Sequence, residues 1–226
     1  RPSSKAEISA DFPHTAGIAP TGSSSSQEAF GRVLTEISRN EAIRPYLVTT
    51  APDVATSTNL GGFINRHGIF NKDVKREWNN NSIQKWVEGP KGQHIELGIS
   101  EMNLFTLLGQ LGISGDISDQ PLIPIGTVYD PFVLRGLDAF IYSVYSGAKF
   151  IVAGTPSGIT LAPEGGAHQS TITPSVGVEL PGVVLMEPAY AQSLDWLLCD
   201  ALAHVAGAKK NTCLLYTSDA ADDLTR

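Results

Sequence analysis

The sequence has few cysteines, no excess of basic residues and no long apolar run, and each shortage argues against a class of protein. Cys199 and Cys213 are the only cysteines among 226 residues, so neither a disulfide framework nor a cysteine metal site is indicated. The chain contains no run of about 18 apolar residues, so no membrane span is predicted. The polar N-terminal stretch does not resemble a secretory signal. The net charge of −7 offers no basic surface for nucleic acid. A cytoplasmic globular protein, with neither membrane nor nucleic acid as a partner, is favoured.

Short apolar runs alternate with helical patterns along the chain. The predicted strands are apolar runs bounded by turn residues, at 46–50, 94–97, 122–125, 149–153 and 183–186. The predicted helices alternate with these strands, at 27–40, 100–111, 131–147 and 189–205. Residues 51–92 are predicted to be loop-rich, with Gly61-Gly62 among the breakers. The strand after Lys149 is entirely apolar, as expected for a parallel strand that is buried on both faces. The alternation predicts an α/β domain with three layers, α/β/α, and a mostly parallel sheet.

Both ends of the chain differ from its centre. Residues 1–26 contain several prolines and a run of serines, and they are interpreted as a linker from a missing upstream domain. Residues 27–212 form the predicted domain. Residues 213–226 resemble the translation of a sequencing adapter, which predicts a non-native tail, with a genuine short tail as the alternative.

The stretch 92–105 is the most informative part of the sequence. After its strand, Gly98 permits a tight turn, Ser100 can cap a helix, and Glu101 stands in the first turn, where the helix dipole favours a carboxylate. The helix is apolar almost all round, which predicts burial. A carboxylate at the head of a buried helix is costly to ionise and indicates a functional role. A plain capping carboxylate is the alternative.

The loops that follow the strands carry the other candidate residues, because active sites of parallel sheets lie at the carboxyl ends of strands. Asp53 follows the first strand, Tyr129 and Phe132 follow the third, and a glycine-rich loop after the fourth contains Glu164 and His168. Each also has an ordinary interpretation: a turn residue, core aromatics and a solvated loop. The remaining histidines lack metal-ligand spacing and are predicted to be structural: His14, His67, His94 and His204.

The order of four motifs resembles a known family. Pro52-Asp53, Gly98-Ile99-Ser100-Glu101, the aromatic loop at 129–132 and the Glu-Gly-Gly-Ala-His segment at 164–168 occur in this order. Together they resemble the pyrimidine-binding domain of transketolase-type thiamine diphosphate enzymes. Within that group, the sequence is most similar to the homodimeric decarboxylating component of the pyruvate dehydrogenase complex. The resemblance covers about residues 27–205 and implies the thiamine diphosphate-binding fold.

The resemblance implies a role for each candidate residue. Glu101 matches the glutamate that hydrogen-bonds the ring nitrogen of the cofactor's aminopyrimidine and so favours the tautomer that can deprotonate the thiazolium carbon. His168 matches a histidine beside the substrate, Tyr129 or Phe132 would stack on the pyrimidine, and Asp53 would lie near the cofactor. Glu164 stands where transketolases have an aspartate that reads a sugar hydroxyl, which favours a 2-oxo acid over a sugar phosphate.

The implied activity belongs to a longer protein. It would decarboxylate a 2-oxo acid, most simply the glycolytic product pyruvate, and pass the acyl group to a lipoyl-bearing acyltransferase partner. The Gly-Asp-Gly motif that binds Mg²⁺ and diphosphate in this family is absent here, so no metal ligand is expected in this chain and those contacts are expected upstream, with the site between the subunits of a homodimer. The alternatives are a transketolase-like transfer of a two-carbon unit and an inert dimerisation module.

Overall fold

A computed structural model describes residues 8–18, 24–73, 86–170, 172–207 and the backbone of 212–216. Every strand pair recorded in this part of the chain is parallel, and the strands form one sheet in the order β3-β2-β4-β1-β5-β6-β8-β7. The strands are β1 Leu47–Ala51, β2 Ile69–Phe70, β3 Glu88–Gly89, β4 His94–Glu96, β5 Ile123–Val128, β6 Ile151–Gly154, β7 Val183–Met186 and β8 Thr212–Tyr216.

Helices connect these strands. The α-helices are α1 Ser26–Ile37, α2 Gly61–His67, α3 Glu101–Gly112, α4 Ser114–Ser118, α5 Leu137–Tyr145, α6 Thr173–Glu179 and α7 Ala191–Ala206. The 3₁₀ helices are Arg44–Tyr46, Asp130–Gly136, Gly158–Glu164 and Gly166–His168. In the described residues, no helix combines the length and the apolar character that a membrane crossing requires.

The sheet separates two hydrophobic cores, which confirms the predicted α/β/α architecture. In β6, Ile151 and Ala153 belong to the core shared with α1 and α7, whereas Val152 and the preceding Phe150 belong to the core shared with α3 and α5. Successive side chains of a strand point to opposite faces, so the continuous apolar run at β6 places side chains in both cores. The carboxyl ends of the central strands therefore lie at one edge, between two layers of helices.

Two predictions about local structure were wrong. The helix α3 is not buried all round, because its exposed residues recur on one side: Met102, Asn103, Thr106 and Gln110. The stretch 51–92, predicted to be loop-rich, contains α2, which begins at the two glycines interpreted as breakers, Gly61 and Gly62. A Cβ at Gly62 would lie 2.6 Å from the Thr35 hydroxyl of α1, so glycine here permits close helix packing.

Both ends of the domain contain ordered contacts. In the predicted linker, Ile8 is buried and the Asp195 carboxylate of α7 accepts hydrogen bonds from the Thr15 hydroxyl at 2.5 Å and the Ala16 N–H at 2.7 Å. In the predicted tail, the backbone of Thr212–Tyr216 pairs with both β6 and β7. These segments pack as parts of the domain, while the domain limits and the origin of residues 213–226 stay predictions.

His67 makes the stability of the fold depend on pH. Burial, together with the charges of Arg66 and Arg44, lowers the pKa of His67 from 6.5 to about 4. The unfolded chain takes up a proton below pH 6.5 and the folded chain does not, so this stabilisation is complete above pH 6.5 and is lost towards pH 4. We expect this one residue to lower the free energy of unfolding by at most about 3 kcal/mol over that range, since one pKa unit corresponds to about 1.4 kcal/mol.

Urea unfolding at several pH values measures this effect. The His67→Leu variant is expected to lose the dependence between pH 6.5 and 4, whereas the exposed-residue control His14→Gln is expected to keep it. An unchanged slope in His67→Leu would contradict the assignment.

Candidate active site

Glu101 is held at the head of α3 by the local sequence. Gly98 adopts a φ of 67°, a conformation that favours glycine, and this turn leads from β4 into the helix. The Ser100 hydroxyl then accepts a hydrogen bond from the Asn103 N–H at 3.3 Å, as predicted for the helix cap. The Glu101 side chain is 11% exposed, so its carboxylate is largely shielded while remaining reachable at this edge of the sheet.

A close approach between two elements completes the surroundings of Glu101. A Cβ at Gly136 would lie 2.8 Å from the Glu101 carbonyl oxygen and would collide with the Phe105 ring. Glycine therefore lets the 3₁₀ helix Asp130–Gly136 pack directly on the first turn of α3. That contact brings a second charged side chain, Arg135, within 3.6 Å of the Glu101 Oε1 atom.

Three rings form a group beside this ion pair. The Tyr129 and Phe132 rings lie 6.0 Å apart and nearly parallel, and the His168 ring is 5.1 Å from Phe132 and 6.3 Å from Tyr129, measured between centroids. The Arg135 guanidinium carbon lies 3.9 Å from the centre of the Phe132 ring. Hence one continuous set of contacts joins Glu101 to His168, although the two residues lie far apart in the sequence. We refer to Glu101, Tyr129, Phe132, Arg135 and His168 as the site cluster.

His168 contributes a polar atom without a protein partner. It ends the 3₁₀ helix Gly166–His168, and its Nδ1 atom is buried with no hydrogen-bond partner among the described residues. A buried polar atom of this kind normally has a partner. The ring nitrogen could therefore form a hydrogen bond with a polar group of a ligand.

Asp130 is a residue of this region that sequence reasoning missed. It is 2% exposed, and burial raises the pKa of its carboxyl above the ordinary value of 3.8, against the opposing effect of Thr173 and Gly158. Its backbone N–H donates to the Pro156 carbonyl at 3.2 Å, so it ties the loop after β5 to the loop after β6. Only its position between Tyr129 and Pro131 marked it in the sequence.

Two predicted site residues lie outside the site cluster. Asp53 is exposed in a turn after β1, with a φ of 63°, and Glu164 is exposed at the end of the 3₁₀ helix Gly158–Glu164. Among the described residues, no ion pair or hydrogen bond joins either of them to the site cluster. Their predicted roles near the cofactor and the substrate stay predictions.

The site cluster fits the pyrimidine end of thiamine diphosphate and has no arrangement for a metal ion. It offers one shielded carboxylate, flat apolar rings and one unpartnered nitrogen, which suit a heterocycle with polar edges. In the described part of the chain, no group of three or more histidine, cysteine, aspartate or glutamate side chains could hold a metal ion.

Solved structures of transketolases share this fold. A transketolase from Leishmania mexicana superposes with a TM-score of 0.70 at 17% identity, covering 95% of this chain and 28% of that chain. A structure described as a split gene transketolase, inactive beta4 tetramer, gives a TM-score of 0.56 at 17% identity, covering 88% of this chain and 52% of that chain. At these identities the similarity shows a shared fold, that of a transketolase-type α/β domain.

The sequence comparison identifies the family within that class. The family model for the pyruvate dehydrogenase E1 component middle domain matches residues 10–224, and the chain belongs to this family. This is a pyrimidine-type domain of thiamine diphosphate-dependent enzymes. The pyruvate dehydrogenase E1 component of Escherichia coli K12 is 23% identical over 192 residues, which cover 83% of this chain and 22% of the relative.

A second relative shows similar identity and coverage. The pyruvate dehydrogenase E1 component of Mycobacterium tuberculosis H37Rv is 25% identical over 189 residues, covering 82% of this chain and 20% of the relative. The chain thus spans about a fifth of the length of these relatives.

Proposed function

We propose that the chain is the pyrimidine-binding domain of a longer, thiamine diphosphate-dependent 2-oxo acid dehydrogenase of the cytoplasm. The observation that carries the proposal is the site cluster, in which α3 presents the Glu101 carboxylate beside the rings of Phe132 and His168. The family match to residues 10–224 supports the same activity.

Each member of the site cluster has a task in this proposal. The Glu101 carboxylate shares a proton with the pyrimidine ring nitrogen through a hydrogen bond, in surroundings that largely exclude water. A flat ring, from Phe132 or Tyr129, packs on the pyrimidine face. His168 offers its unpartnered Nδ1 atom to an oxygen of the substrate or product. When bound, the cofactor would supply the carbon nucleophile that attacks the substrate and the positively charged ring that takes up the electrons released by decarboxylation.

The proposed substrate is pyruvate, and two observations support a 2-oxo acid. Glu164 stands where the transketolase pattern has aspartate, and the relatives in Escherichia coli and Mycobacterium tuberculosis are named pyruvate dehydrogenase E1 components. We propose further that the longer protein is a homodimer, binds Mg²⁺ and the diphosphate through residues outside this chain, and passes the acyl group to a lipoyl-bearing acyltransferase.

The activity is tested in the longer protein that carries these residues. Pyruvate-dependent reduction of an artificial electron acceptor is expected, with a requirement for added thiamine diphosphate and Mg²⁺. Two-carbon transfer to ribose 5-phosphate without any pyruvate activity would instead favour transketolase-like chemistry.

The isolated 226-residue chain provides a second test. Since the proposed diphosphate and Mg²⁺ contacts lie elsewhere, we expect calorimetry to detect no binding of thiamine diphosphate to this chain, even with Mg²⁺ present. Micromolar affinity would show that the proposed division of the cofactor site is wrong.

A further inference from the structure

Arg135 connects two members of the site cluster that come from different elements. Its Nη1 atom lies 3.6 Å from the Oε1 atom of Glu101 on α3. The same guanidinium packs over the Phe132 ring, with its central carbon 3.9 Å from the ring centre. The sequence offered no reason to select this arginine, because it lies in the helical pattern after Pro131 rather than in a motif.

The exposure of the two partners distinguishes this ion pair from an ordinary surface pair. Arg135 is 57% exposed, but the Glu101 side chain is only 11% exposed. Pairs between two exposed side chains contribute little, since water screens both charges. Here Glu101 is shielded from water, and the Arg135 guanidinium is also held by the face of the Phe132 ring. The positive charge of Arg135 therefore has a preferred position.

The backbone around Arg135 is adapted to this contact. Gly136, the next residue, has no room for a Cβ against the Glu101 carbonyl and the Phe105 ring. Any larger residue would push the 3₁₀ helix away from α3 and would lengthen the distance from Arg135 to Glu101. The close packing of these two elements thus sets the position of the guanidinium.

We propose that Arg135 is a positioning residue that fixes the Glu101 carboxylate relative to the Phe132 ring. The Glu101 carboxylate, which would bond the pyrimidine nitrogen, and the Phe132 ring, which would stack on the pyrimidine, are thereby held at a fixed distance and orientation. This role rests on the proposed function, because it assigns the two contacts to one heterocycle. Arginine suits the role better than lysine, since its planar group can lie on a ring and still direct an N–H at a carboxylate.

The test compares thiamine diphosphate with an analogue in which carbon replaces the pyrimidine nitrogen that faces Glu101. Affinities are measured by calorimetry with Mg²⁺, in the longer protein, so the readout does not depend on turnover. If Arg135 acts through Glu101, Arg135→Met is expected to weaken binding of the cofactor about tenfold and binding of the analogue little, because the analogue cannot make the Glu101 contact.

Two further variants complete the design. Arg135→Lys keeps a charge near Glu101 but loses the planar contact with Phe132, so a partial loss is expected. Arg39→Met is the matched control, because Arg39 has the same 57% exposure and a comparable pair with Glu36 at 3.3 Å on α1. It is expected to bind both ligands like the wild type. If Arg135→Met does not fold, Arg135→Lys provides the test: its affinity for the cofactor is expected to fall in part, and its affinity for the analogue to stay unchanged.

The outcomes separate the two proposals. Unchanged binding in both Arg135 variants, or an equal loss for cofactor and analogue, would overturn the positioning role and leave the proposed function intact. If the wild-type longer protein does not bind thiamine diphosphate, both the proposed function and the positioning role are overturned.

Discussion

Glu101→Gln is expected to lower the kcat of the longer enzyme by about 100-fold or more while leaving the fold unchanged. Glutamine has the shape of glutamate and can occupy the same place at the head of α3, but its amide cannot hold and release the proton that the proposed contact requires. Loss of a positioned acid–base group typically costs about 10²–10⁴ in rate. The ion pair with Arg135 is also lost, at a cost to stability of about 1 kcal/mol or less, since Arg135 is half-exposed.

The measurement is steady-state pyruvate turnover at saturating cofactor, together with circular dichroism and thermal melting. Glu36→Gln is the control, because Glu36 is an exposed carboxylate on α1 with its own arginine partner. That variant is expected to retain full turnover. Wild-type kcat in Glu101→Gln would remove Glu101 from its proposed role, and a collapsed melting transition would show that the residue acts on folding instead.

Phe105→Ala is expected to lower the free energy of unfolding of this chain by about 3–5 kcal/mol, as large-to-small changes of buried aromatics do. Phe105 is fully buried, and its ring stacks on Phe140 with 4.9 Å between centroids. It also fills the space against Gly136, so its removal leaves a cavity between α3 and the 3₁₀ helix. Such a loss is a large fraction of the about 5–15 kcal/mol that stabilises a typical domain.

Urea unfolding followed by far-ultraviolet circular dichroism measures this cost. Met102→Ala, in the same helix but with 42% exposure, is the control and is expected to cost less than about 1 kcal/mol. A similar, small cost for both variants would contradict the packing described between α3 and its neighbours. In the longer enzyme, Phe105→Ala is also expected to weaken cofactor binding, because the packing of Phe105 against Gly136 sets the relative position of Glu101 and Phe132.

Local sequence rules determined much of what surrounds Glu101. Gly98 allows the turn, the Ser100 side chain caps α3, and the carboxylate then follows in the first turn. These steps involve neighbours in sequence, which explains why they could be predicted. The apolar run of β6 likewise identified a central strand, since few positions other than the middle of a parallel sheet bury both faces of a strand.

Glycine positions show where such rules failed. Gly61 and Gly62 predict a break in the chain, but both lie in α2, and at Gly62 the lack of a side chain permits close contact with Thr35. Gly136 similarly allows α3 and the 3₁₀ helix to touch. Whether a glycine marks a turn or a close contact depends on the element that packs against it, and sequence spacing does not contain that information.

By itself, the sequence determined the order of the main strands and helices, the α/β class and the family of motifs to which Glu101 and His168 belong. Only the tertiary structure decided that Arg135 lies between Glu101 and Phe132, that Asp130 is buried, and that Asp53 and Glu164 are exposed. The physical reason is that periodicity and capping act over a few residues, whereas ion pairs, ring contacts and burial depend on how distant segments pack.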